Sequence, residues 1–250
     1  MNPAAEGERW FEAAFRADYL RVYPHRNVEA ARREVDFLVS QGVRGRVLDL
    51  CCGFGRHALL LRRAGLDAWG VDLSLDLLRA ARELEGYERL LAGRLVRGDA
   101  QRVPFGAGRF DGVVNLFSSF GYFGERGDER VLAEIARVLV PGGVAVFDLM
   151  NATRVRAELV PHSRRSEVDF VLDERRALLD DGRRVVKDVE LDFADGRTLR
   201  WREDVRLYAR PEFAALLANA GLFNVATFGD FDASACGDRS PRTIVIARRR

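Results

Sequence analysis

Apolar and polar positions alternate along this chain with two different periods. Val47, Leu48 and Leu50 surround a single acid, Asp49, in the near-continuous apolar run expected of an inner parallel strand. A turn containing Gly53 and Gly55 follows, then a short helix from His57 to Ala64 closed by Gly65. The pattern repeats: Asp67 to Leu73 predicts a second strand ending in Asp72, and Leu75 to Leu84 a helix with Leu77, Leu78 and Ala81 inward. Arg94 to Gly98, ending at Asp99, and Phe110 to Phe117 predict two more strands. Asp128 is expected to open a helix presenting Val131, Leu132, Ile135, Val138 and Leu139, which Pro141-Gly142-Gly143 stops before a strand from Val144 to Leu149. Strands joined by helices predict an α/β fold with a doubly wound, mostly parallel sheet, whose ligands sit beyond the strands' C-terminal ends.

Before this block, Trp10, Phe11, Phe15 and Tyr19 predict a helix interrupted at Pro24. Asn27 can cap a second one bearing Val28, Ala31, Val35 and Leu38 on one face. After it the period becomes two: Val189, Leu191 and Phe193 alternate with acids, and after Ala194-Asp195-Gly196, Leu199, Trp201 and Val205 alternate with arginines. A three-residue loop with Gly196 left-handed sets Leu191 opposite Leu199, Val189 opposite Trp201, Glu190 opposite Arg200 and Asp188 opposite Arg202. With a turn at Asp181-Gly182, this predicts an antiparallel meander of about three strands with one apolar face. Pro211 starts a helix ending at Gly221, and Leu222 to Phe228 and Thr243 to Ala247 extend the main sheet to seven strands. The expected organisation is a helical N-terminal cap over 1–40, a Rossmann-like domain over 41–150 and 209–250, and an antiparallel β insert over 151–208 serving as an acceptor lid.

Composition narrows the function classes. At 250 residues and 48% hydrophobic content the chain can bury a large core. A net charge of +2 offers no broad phosphate track, which argues against a nucleic-acid partner. No run approaches the roughly 18 apolar residues of a membrane helix and Met1 to Trp10 lacks a signal pattern, so a cytoplasmic protein with no membrane partner is expected. Lys187 is the one lysine among 40 basic residues, which reads as compositional bias towards arginine. Cys51, Cys52 and Cys236 are too few for a disulfide framework, and His25, His57 and His162 have no ligand at zinc-like spacing, so no metal is expected.

Four features line up: the turn from Cys51 to Gly55, Asp72 and Asp99 at successive strand ends, and the strand Phe110-Asp111-Gly112-Val113-Val114-Asn115. The series resembles the class I S-adenosylmethionine-dependent methyltransferases. Val-Leu-Asp-Leu-Cys-Cys-Gly-Phe-Gly resembles the family's first motif, with Cys51 in the place of the first glycine of Gly-x-Gly-x-Gly. The resemblance implies S-adenosyl-L-methionine as cofactor and S-adenosyl-L-homocysteine as product. It implies that the backbone around Gly53 and Gly55 flanks the methionine end, that Asp49 holds its ammonium directly or through water, and that Asp72 with Leu73 meets the ribose. Asp99 and Ala100 would clamp the adenine, and Asn115 and Leu116 would line the transferred methyl.

A helical cap with an insert after the fifth strand looks like the small-molecule N- or O-methyltransferases, so a small-molecule methyl acceptor is expected. Tyr19, Tyr23, Ser119, Tyr122, Asn151 and Arg206 are the candidate acceptor contacts, and His57 is either a base or a helix-start residue near the cofactor tail. Two other activities fit parts of the pattern. Methylation of an RNA base is one, although Asn115-Leu116-Phe117-Ser118 stands where nucleic-acid amino methyltransferases carry Asn/Asp-Pro-Pro-Tyr. An NAD(P)-dependent oxidoreductase is the other, but Ala58 stands near where Gly-x-Gly-x-x-Gly needs its third glycine.

Overall fold

The computed structural model describes residues 9–16, 18–23 and 27–250; Pro24 and His25 lie outside the described residues, as do the first eight positions. In chain order come α1 (Trp10–Ala14), α2 (Tyr19–Val22), α3 (Ala31–Ser40), β1 (Arg46–Leu50), α4 (Arg56–Arg63), β2 (Asp67–Asp72) and α5 (Leu75–Ala80). They are followed by α6 (Tyr87–Leu90), β3 (Leu95–Arg97), β4 (Phe110–Asn115), α7 (Gly124–Val138), β5 (Leu139–Met150) and α8 (Ala152–Glu158). The remainder is β6 (His162–Ser166), β7 (Phe170–Leu179), β8 (Arg184–Phe193), β9 (Thr198–Arg206), α9 (Arg210–Asn219), β10 (Leu222–Phe228) and β11 (Arg242–Arg249).

Seven strands form one sheet in the order β10-β11-β5-β4-β1-β2-β3. β1 runs parallel to both β2 and β4, β5 is parallel to β4, and β11 is antiparallel to β5 and β10. The winding direction reverses at β1, and the crevice opened there is where ligands of such sheets bind. Successive strand residues supply opposite cores. Leu48, Leu50, Val113, Ala145, Phe147 and Val245 pack under α7 and α9, whereas Val47, Val114, Val144, Val146 and Ile244 pack under α3 and α4.

A second sheet, β6-β7-β8-β9, is antiparallel. Its register has Leu191 opposite Leu199, Val189 opposite Trp201, Glu190 opposite Arg200 and Asp188 opposite Arg202, as the three-residue loop requires. Phe193 N–H donates to Arg197 O at 2.9 Å across that loop, and Gly196 takes φ +88°. The apolar face, with Phe170, Leu172, Val189, Leu191 and Phe193, is covered by Val22 and Tyr23 of α2 and its flank. Trp10 of α1 packs with Val185 and Val205 in a neighbouring cluster.

Three local differences have physical causes. Trp10 and Phe11 lie on one short helix and Tyr19 on a second, with Phe15 between them, since the chain leaves helical geometry at Phe15 (φ −97°, ψ 63°). α7 begins at Gly124, because Asp128 is buried inside it and accepts from the Tyr208 hydroxyl at 2.8 Å and from Phe123 N–H at 3.3 Å. Pro141-Gly142-Gly143 sits within β5: the ladder to β4 shifts between Leu139 and Val144, since proline has no N–H to contribute.

Gly70 of β2 is in contact with the turn after β1. A Cβ there would lie 2.6 Å from Leu95 Cδ2 and 2.7 Å from Cys52 Sγ. Gly70→Ala is expected to destabilise the protein by about 1–3 kcal/mol through overpacking, measured as a lower urea midpoint with an unchanged slope.

Candidate functional site

The turn between β1 and α4 has a repeating backbone conformation. Cys51, Gly53 and Gly55 have φ of +62°, +56° and +79°. The cysteine therefore adopts the left-handed conformation that a glycine would take at that place, at a cost an L-residue carries through its Cβ. Gly55 is also the N-cap of α4. Asp72, at the end of β2, accepts from Gly53 N–H at 2.7 Å and from Ser74 N–H at 2.8 Å, which ties the turn to the next strand. Ser74 in turn caps α5, accepting from Leu77 N–H at 3.2 Å, and its hydroxyl donates to Phe15 O, so the N-terminal segment is anchored to the same corner.

Cys51, Gly53 and Asp72 line a cavity of about 300 Å³ at the sheet's switch point. One end holds Asp49, Cys51, Gly53, Asp72, Leu73, Asp99 and Ala100, all at the C-terminal ends of β1, β2 and β3 or just beyond. Asp49 is buried and accepts from Ala58 N–H at 3.2 Å. Burial is the main force pushing its carboxyl up to about 6, with His57 the leading opposing influence. Burial likewise raises Asp72 against three backbone donors, and raises the Cys51 thiol, which is therefore protonated and a poor nucleophile near neutral pH. Asp99 accepts from Gln101 N–H at 2.9 Å and pairs with Arg9.

The other end is walled by Leu116, Phe117, Ser118 and Ser119 after β4, by Tyr122, and by Met150 at the end of β5. Phe11, Phe15 and Tyr19 of the N-terminal segment and Lys187, Glu203 and Val205 of the antiparallel sheet complete it. Ser119 Oγ donates to Leu116 O at 2.9 Å, and Trp10 and Tyr122 rings meet edge-on at 4.7 Å.

The expected site residues thus divide. Asp49, Cys51, Gly53, Asp72, Leu73, Asp99, Ala100, Leu116, Tyr19, Ser119, Tyr122 and His57 share the cavity. Gly55 stands outside its lining, and Asn115 is buried with its amide donating to Leu50 O at 3.1 Å. Tyr23 lies behind the wall, accepting from Lys187 Nζ at 3.1 Å and donating to Glu174 at 3.2 Å. Asn151 caps α8 and binds Gly237 O and Ser240 O, both at 2.9 Å. Arg206 pairs with Glu212 and donates to Arg183 O. The structure does not bring Asn151 or Arg206 to the cavity.

Four charged wall residues stand outside the sequence-based expectation: Arg56, Arg242, Lys187 and Glu203. Lys187 Nζ lies 2.9 Å from Glu203 Oε1 and 3.4 Å from Glu174 Oε1. Its being the one lysine of the chain was the available signal. Arg242 pairs with buried Asp148 at 2.7 Å, and both Arg56 and Arg242 face the Phe117 ring, at 4.7 and 5.2 Å from its centroid. Behind them His57 Nε2 pairs with Glu34.

The strand order, the left-handed turn and the acids at successive strand ends define the fold of the class I S-adenosylmethionine-dependent methyltransferases. Residues 47–143 match the family described as a methyltransferase domain. Over that stretch the chain is similar to methyltransferase domains. Demethylmenaquinone methyltransferase of Thermus thermophilus is 37% identical over 114 residues, 45% of this chain and 50% of that protein. The chain spans about half the length of these curated relatives. Among solved structures, an S-adenosylmethionine-dependent methyltransferase from Clostridium acetobutylicum superposes with a TM-score of 0.78 at 17% identity, covering 93% of this chain and 98% of that one. A sugar N-methyltransferase from a Streptoalloteichus species superposes with a TM-score of 0.67 at 25% identity, covering 93% and 92%.

The left-handed Cys51 generates a prediction. Cys51→Gly is expected to hold the turn and leave stability within about 1 kcal/mol of wild type, relief of backbone strain offsetting lost packing. Cys51→Val, β-branched at positive φ, is expected to cost at least about 1–2 kcal/mol. Urea unfolding of the two variants checks the ordering.

Proposed function

We propose that the protein transfers a methyl group from S-adenosyl-L-methionine to an N or O atom of a small-molecule acceptor by in-line displacement, releasing S-adenosyl-L-homocysteine. The observation that carries this reading is one cavity with strand-end acids at one end and an aromatic and polar enclosure at the other. The donor supplies a methyl already activated by its sulfonium. The chain's own contribution is then orientation and exclusion of water. Asp72, its carboxylate fixed by Gly53 and Ser74 N–H groups, keeps lone pairs for ribose hydroxyls. Asp99 and Ala100 suit the adenine, Asp49 the ammonium, and Leu116 the space beside the methyl.

The acceptor would lie over the ends of β4 and β5, under a lid of the N-terminal segment and the β6–β9 sheet. The cavity is of the size that small-molecule sites have, about 300 Å³, and the N-terminal segment and the second sheet both contribute to its wall, which favours a small acceptor over an RNA helix. Ser118, Ser119, Tyr122 and the Lys187–Glu203 pair offer it polar contacts. The sugar N-methyltransferase neighbour supports a polar acceptor of this kind.

Labelled-methyl transfer is the direct test: label from S-adenosyl-L-methionine is expected in the low-mass fraction of a metabolite extract. Label appearing in RNA alone would overturn the acceptor assignment, and NADH binding without S-adenosyl-L-homocysteine binding would overturn the donor. By calorimetry, Asp72→Ala should weaken S-adenosyl-L-homocysteine by about 1.5–3 kcal/mol, the worth of a hydrogen bond to a charged group.

Asp49 adds a pH signature. Its carboxyl titrates near 6 in the empty cavity, and a ligand ammonium favours the ionised form. Affinity for S-adenosyl-L-homocysteine is therefore expected to fall as pH drops through 6, by about tenfold between pH 7 and pH 5. Asp49→Asn should bind more weakly at pH 7 and show a flat profile over that range.

A further inference from the structure

Arg56 is the first residue of α4, directly after the left-handed Gly55, and its side chain is only 6% exposed while lining the cavity. A guanidinium carries five N–H donors, and burying them without acceptors is costly. Its one described ion-pair partner, Glu34 Oε2, is 3.8 Å away, beyond hydrogen-bond reach, and that oxygen is already engaged by His57 Nε2. Among the described residues no oxygen accepts a hydrogen bond from Arg56; its other contact is the Phe117 ring. Arg242, beside it on the same ring, differs in having its carboxylate, Asp148, at 2.7 Å.

At the opposite end of the same turn stands Asp49, buried, with a single N–H from Ala58 as its hydrogen-bond partner among the described residues. The turn therefore presents to one cavity a buried carboxylate that accepts one backbone N–H and a guanidinium whose described ion-pair partner, Glu34, stands at 3.8 Å, so among the described residues neither is hydrogen-bonded to an opposite charge. We infer that Arg56 and Asp49 form a receptor for an α-amino-acid zwitterion, with Arg56 binding the α-carboxylate of the donor's methionine end opposite its ammonium. A carboxylate on the acceptor would satisfy Arg56 but leave Asp49 unmatched, whereas the zwitterion satisfies both without adding net charge. Arg56 is thereby a cofactor-positioning residue, and it rests on the donor reading above.

The test compares S-adenosyl-L-methionine with decarboxylated S-adenosylmethionine, which keeps adenosine, sulfonium and ammonium but lacks the carboxylate. Wild type is expected to bind the complete donor at least tenfold more tightly. Arg56→Gln should reduce that affinity tenfold or more while leaving the decarboxylated compound within twofold, and Arg56→Lys should recover part of the loss. Equal wild-type affinity for the two compounds overturns the inference, and so does an Arg56→Gln variant that keeps full affinity for the complete donor or loses both compounds equally. Wild type binding neither compound would instead defeat the donor reading itself, so the two failures are distinguishable.

Discussion

The hydrogen bond from Gly53 N–H to Asp72 is the tie on which the rest of the site depends. It joins the turn after β1 to the end of β2, and it requires the two strands to come close. Gly70 permits that approach, since a Cβ there would meet Cys52 and Leu95. The alternately left-handed Cys51, Gly53 and Gly55 bend the chain through the remaining space and launch α4 with Arg56 and His57 facing the crevice. One short turn thus sets Asp72, the buried Asp49 and the Arg56 guanidinium in a common frame. Preorganised charge of this kind needs no rearrangement when a ligand arrives.

Enclosure of the cavity follows from a second constraint, the need of two amphipathic pieces to bury their faces. The β6–β9 sheet has one apolar face, and the N-terminal helices are too short to be stable alone. They cover each other, with Val22 and Tyr23 against Phe170, Leu172, Val189 and Leu191. Polar ties at the edge fix the assembly: Ser74 to Phe15 O, Arg9 to Asp99, and Arg21 to Asp169. Lys187 and Glu203 reach the cavity as a result.

Much of this was legible because it is local. Alternation in β8 and β9 dictated their register, since a one-residue slip would place arginines opposite leucines on the buried face. The apolar run around Asp49 and the runs leading to Asp72 and Asp99 placed those acids at or near strand ends, and the fold carried them to one crevice. Side chains whose direction is chosen by distant partners were not legible. Asn151 turns away to cap α8 and bind the loop at Gly237, and Arg206 is drawn to Glu212. Asn115 is used to pin β4 to β1 through Leu50 O.

The chain by itself determined the strand and helix alternation, the glycine turn with the acids beside it, and the meander's pairing, because each rests on periods of two or 3.6 residues and on backbone freedom at named positions. Only the tertiary structure decided which charges meet. Arg242 comes to Phe117 and Asp148 from the last strand, Lys187 comes to the cavity from the second sheet, and Arg56 stands 3.8 Å from Glu34, whose same oxygen His57 engages. Those outcomes depend on long-range packing and on competition between neighbouring groups, and no short stretch of sequence contains them.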